Sequence, residues 1–92
     1  MNRSTRIALW EEHLRSQGVK AWYSGRESQD NSPIQEPLLK RIDPTVSLEV
    51  GDRLAFGSVD DGYCLVRITK IIDPDPQGTY HVRSFAVEPV VR

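Results

Sequence analysis

The segment Tyr63 to Ile72, YCLVRITKII, limits the fold more than any other part of the chain. Both of its side-chain parities are largely apolar, with Cys64, Val66, Ile68 and Ile72 on one and Tyr63, Leu65 and Ile71 on the other. Side chains along a strand point alternately to the two faces of a sheet, so a strand apolar on both faces has to be covered on both. It is therefore expected to be central, either in a barrel or in a sheet backed by a helix. On this reading Cys64 fills core as a small hydrophobe, and pairing with His81 on the returning strand as a nucleophile is the weaker alternative.

Turn chemistry brackets this strand. Asp60-Asp61-Gly62 opens it, and DPDPQG at 73–78 turns it into a wide hairpin whose return is TYHVRSFAV, with Tyr80 and Val82 on one face and Phe85 and Val87 on the other. Upstream, Leu48, Val50, Leu54 and Phe56 share a parity, interrupted by a tight turn or bulge at Gly51-Asp52. LLKRI reads as extended and is turned by Asp43-Pro44. VKAWYSG reads as a short strand stopped at Gly25. STRIALWEEHLRSQG is the one helical segment, with Ser4 or Thr5 as N-cap, Ile7, Trp10 and Leu14 as a narrow apolar stripe, and Gly18 at C′. A helix of this length needs another surface on which to lay that stripe.

The expected fold is mainly β (α+β by count): a small antiparallel barrel or sandwich of five to six strands with one N-terminal helix. It is one domain over residues 1–92, with the helix at 4–17, a polar loop at 26–37 and the strand-rich core at 38–88. A chain of 92 residues buries only about 60–65% of its unfolded surface, so docking on neighbours is a natural supplement to its stability. The loop RESQDNSPIQEP has no periodicity and reads either as an ordinary surface loop or as a segment that reaches a neighbouring subunit. Its candidate contact residues are Arg26, Glu27, Gln29, Asp30, Asn31 and Gln35.

Composition removes several function classes. A formal net charge of -1 disfavours a dominantly electrostatic grip on nucleic acid or an anionic membrane. One cysteine provides no disulfide framework, and no apolar run approaches a membrane span, so a soluble intracellular protein, not secreted, is expected. His13 and His81 lack companions at metal spacing, and Asp60, Asp61, Asp73 and Asp75 sit beside Gly or Pro, where Asp makes turns. No catalytic constellation, metal site or cofactor loop can be assembled, and no enzyme is expected. One face keeps a nucleic-acid alternative open: Tyr63, Arg67, Arg83 and Phe85 interleave basic and aromatic side chains on adjacent strands, as single-stranded nucleic acid requires.

The succession PLLKRIDPTVSLEVGDRLAFGSVDDGYCLVRITKIIDPDPQGTYHVRSF resembles the head–tail joining proteins of tailed bacteriophages, of the lambdoid attachment-protein kind. The matching elements are the strand Leu38 to Ile42, the connector Asp43 to Val50, Gly51-Asp52-Arg53-Leu54 with Gly57, the strand Tyr63 to Ile72, the hairpin Asp73 to Gly78 and the strand Thr79 to Phe85. The resemblance implies a structural virion protein, assembled in the host cytoplasm, that forms a homo-oligomeric connector or stopper ring. It would contact portal, adaptor and tail proteins and meet nucleic acid only as packaged genome in the channel. Residues 26–37 would then reach a neighbour or line the channel. The same residues also resemble RNA-binding barrels of the ASCH and PUA kind, though the glycine-lysine-rich signature of ASCH domains is absent. A small phage-encoded inhibitor that acts by surface complementarity is a third reading.

Overall fold

A computed structural model describes residues 2–25 and 32–90. One helix, α1 (Arg3–Ser16), precedes six strands: β1 (Val19–Tyr23), β2 (Ile34–Gln35), β3 (Lys40–Arg41), β4 (Arg53–Ser58), β5 (Gly62–Ile72) and β6 (Ser84–Pro89). They form one curled sheet in the order β2-β6-β5-β4-β1-β3, a half-barrel with two-residue strands at both edges. The mainly β fold with an N-terminal helix agrees with the sequence reading.

The β5 strand lies at the middle of the sheet and is covered on both faces, as its two apolar parities demand. On the inner face Val66 and Ile68 join Ala21, Ile34, Leu48, Leu54, Phe56 and Phe85 in the larger core. On the outer face Tyr63 and Leu65 pack with Trp10, Leu14, Val19, Trp22, Ile42 and Ala55, the seam between helix and sheet. Within α1 only Leu14 is fully buried, while Ile7 and Trp10 are half-buried. The helix is therefore a light cover over one end of β1, β4 and β5. Trp10 meets both Trp22 and Tyr63 edge-on, at centroid distances of 6.3 and 5.3 Å. The indole N–H groups of Trp10 and Trp22 are buried there with no acceptor among the described residues. The indoles therefore contribute to this seam by ring packing and not by hydrogen bonding.

Several local expectations change. The sheet is mixed: β1 runs parallel to β4, with Ala21, Trp22 and Tyr23 opposite Leu54, Ala55 and Phe56. Parallel neighbours need a long crossover, and residues 24–52 supply it. The helix N-cap is Asn2, whose Oδ1 accepts from the Thr5 N–H at 2.8 Å, in place of Ser4 or Thr5. Gly18 does stand at C′, with a φ of 78°. Residues 34–37, within the stretch 26–37 expected as polar loop, are regular. Ile34 and Gln35 pair with Phe85 and Ser84, and Pro37 sits in a 3-10 turn over Glu36–Leu38. Ile34 is the reason, because it joins the inner core. Val50 is exposed, because the turn that carries it lifts it out of the parity of Leu48. The returning strand starts at Ser84 and not at Thr79: residues 73–83 form the connection, closed on itself by the Asp75 N–H donating to Tyr80 O at 2.9 Å.

Gly57 fixes the β4–β5 turn. Its φ is 153°, and a Cβ there would fall 2.0 Å from Gly62 O and 2.7 Å from the Tyr63 Cα. Only a residue without a side chain fits against that backbone. Gly57→Ala is expected to lower the unfolding free energy by at least about 2 kcal/mol in urea denaturation, with an unchanged m-value.

Candidate interaction surface

The candidate loop residues Arg26, Glu27, Gln29, Asp30 and Asn31 lie outside the described residues. Gln35 is described: it sits exposed on β2, at the edge of the sheet, opposite Ser84. Where the described chain resumes, Ser32, Pro33, Ile34, Gln35 and Leu38 form one wall of a cleft of about 270 Å³, with Tyr23 and Phe56 opposite. Phe56 also lines a second cleft of about 420 Å³ with Gly25, Ser58, Asp61, Tyr63 and Cys64. Phe56 is thus a wall common to the two clefts, the Phe56 mouth of the half-barrel. Leu38, at the rim, is 53% exposed.

Cys64 corrects the core assignment. It shares the inner-face parity of Val66 and pairs with the core residue Phe56 near the β4–β5 turn, but it is exposed. Parity named the face correctly; the sequence does not show where along the strand the covering layer stops. An exposed thiol of this kind should react with a water-soluble thiol reagent in the native protein at nearly the rate of a free cysteine. Reaction only after unfolding would restore the core assignment.

The four residues of the nucleic-acid alternative do not share a surface. Tyr63 lies half-buried under α1, with its hydroxyl 3.3 Å from His13 Nε2. Phe85 is fully buried in the inner core. Arg83 lies over the Phe85 ring at 5.5 Å and donates to Leu48 O at 3.2 Å, so it staples a loop to the core. Arg67 alone is exposed, on the outer face and ion-paired with Glu88. The cause is the register shift between Ile68 and Lys70 across from β6, which puts Arg67 and Phe85 on opposite faces. Among the described residues these four side chains form no common stacking platform.

Asp61 and Asp75 do the turn work expected of them, as do Asp52 and Asp43, whereas Asp73 pairs with Arg83. Asp75 Oδ1 accepts from the Gln77 N–H at 2.9 Å, Asp52 Oδ2 from the Glu49 N–H at 2.8 Å, and Asp61 pairs with Ser58. Asp43 accepts from the Thr45 hydroxyl and N–H, and these two bonds lower its pKa. Asp60 has a second task that sequence reasoning missed. Arg6 donates to its Oδ1 at 2.6 Å and Arg3 lies 3.5 Å from its Oδ2, so the β4–β5 turn clamps the first turns of α1. The hydrogen bond from Arg6 holds the Asp60 carboxyl below its ordinary 3.8, with the charges of Arg6 and Arg3 adding to the effect. Two arginines three residues apart on the helix were the available signal, but nothing local names their partner.

No group of three or more His, Cys, Asp or Glu suited to a metal ion occurs among the described residues, and none of their helices is long and apolar enough to cross a membrane. No family model, curated protein or solved structure matches this chain.

A carboxyl whose pKa is lowered in the folded state stabilises fully above its unfolded value and loses that contribution as pH falls through the folded value. The difference in Tm between the parent and Asp60→Asn is therefore expected to stay constant from pH 7 to 5 and to shrink below the ordinary 3.8. It should also shrink in 1 M salt, since the clamp is exposed.

Proposed function

We propose that this chain is a structural connector of the phage head–tail joining kind, a component of a homo-oligomeric ring that acts by protein–protein contacts and not by catalysis. In the virion it would bridge portal or adaptor proteins to the tail. The observation that carries this reading is the unfinished sheet. A half-barrel that ends in two-residue strands, with the Phe56 mouth open between them and Leu38 exposed at its rim, is a frame that neighbours can complete. Its small size points the same way, since association adds the stability that a short chain lacks. The polar stretch 26–31, which lies outside the described residues, is the segment that this reading assigns to reach the next subunit.

Light scattering tests the reading directly. The purified chain, alone or with portal and tail proteins, is expected to give a mass several times the 10.5 kDa protomer. Deleting residues 28–31, which stops short of the core residue Ile34, should leave the Tm within a few degrees while abolishing assembly. A strictly monomeric chain that ignores those partners, or normal assembly after the deletion, would count against the connector.

A further inference from the structure

On the outer face the sheet carries a cross-strand row that starts at Val19, in the seam under α1, and continues through Arg53 on β4, Arg67 on β5 and Glu88 on β6. Arg53 and Arg67 are directly opposite one another and both exposed. Side chains so placed have Cβ atoms about 4.5–5.5 Å apart, and like charges there destabilise the pair. Glu88 neutralises Arg67. The side chain of Arg53 has no hydrogen bond or ion pair among the described residues, and neither has that of Lys70, which follows Arg67 on β5. The row therefore presents two adjacent guanidinium groups with one carboxylate beyond Arg67, and among the described residues only that carboxylate offsets their repulsion.

We propose that Arg53 and Arg67 form the docking point for an acidic segment of a partner protein, with a carboxylate bridging the two guanidinium groups; this rests on reading the chain as a protein-contact component. Paired guanidiniums offer parallel N–H donors that match a carboxylate. A nucleic-acid backbone is the poorer occupant, because Glu88 stands in the row, the chain carries a net charge of -1, and no exposed aromatic side chain flanks the arginines to stack a base.

The test uses the full chain and a fluorescein-labelled hexaglutamate peptide, read by anisotropy at low salt, with a labelled thymidine hexanucleotide in a parallel arm. The peptide is expected to bind, Arg53→Gln to weaken it about fivefold, and Arg53→Lys to retain most of the affinity. Arg53→Gln should also raise the Tm by about 2–4 °C by removing the like-charge pair. Arg67→Gln should weaken the peptide without raising the Tm, because it frees Glu88. An affinity unmoved by Arg53→Gln, a Tm lowered by it, or tighter binding of the oligonucleotide than of the peptide would overturn the proposal. Light scattering on the same samples separates the two readings. Oligomers that ignore the peptide overturn the docking site alone, and monomers that bind it overturn the connector alone.

Discussion

Burial of β5 on both faces is the constraint on which the rest of the structure depends. Val66 and Ile68 leave almost no surface to water on one side, and Leu65 and Tyr63 are packed on the other. At about 25 cal/mol per Å² of apolar surface, neither face can be left open in a domain of this size. The inner face is closed by curling the sheet, so that residues from β1, β2, β4, β5 and β6 meet around Phe85. The outer face is closed by α1, whose narrow stripe spans just the width of β1, β4 and the start of β5. The geometry of the half-barrel and the position of the helix are two answers to one strand.

The strength of these two closures differs. Eight buried side chains form the inner cluster, whereas the outer seam depends on Leu14, three aromatic rings and the exposed clamp of Arg3 and Arg6 on Asp60. Two buried indole N–H groups without acceptors weaken that seam further. Exposed ion pairs add little, so the helix is the part of the fold with the least holding it.

The central strand, its turns, the helix and the mainly β class were legible because each is a local pattern: two apolar parities, Asp-Gly and Asp-Pro turns, and an i, i+3, i+7 stripe. What was not legible depends on residues far apart in the chain. The parallel pairing of β1 with β4 is a choice of neighbour, and periodicity carries no direction. The exposure of Cys64 depends on where the covering layer ends, which belongs to other segments. The register shift at Ile68 and Lys70 separated Phe85 from Arg67 and so dissolved the nucleic-acid face that parity alone had assembled. Gln35, the candidate loop residue among those described, is placed on the sheet edge. The Arg53–Arg67 row was invisible in sequence for the same reason, since only the β4–β5 register brings residues 14 positions apart side by side.

Amide hydrogen exchange on the isolated chain tests the doubly covered strand most directly. The slowest amides are expected in Leu54–Phe56 and Leu65–Ile68, where both faces are packed, with α1 and the two-residue edge strands exchanging well before them. Protection that peaks in α1, or β5 amides that exchange as fast as those of the edges, would contradict the account.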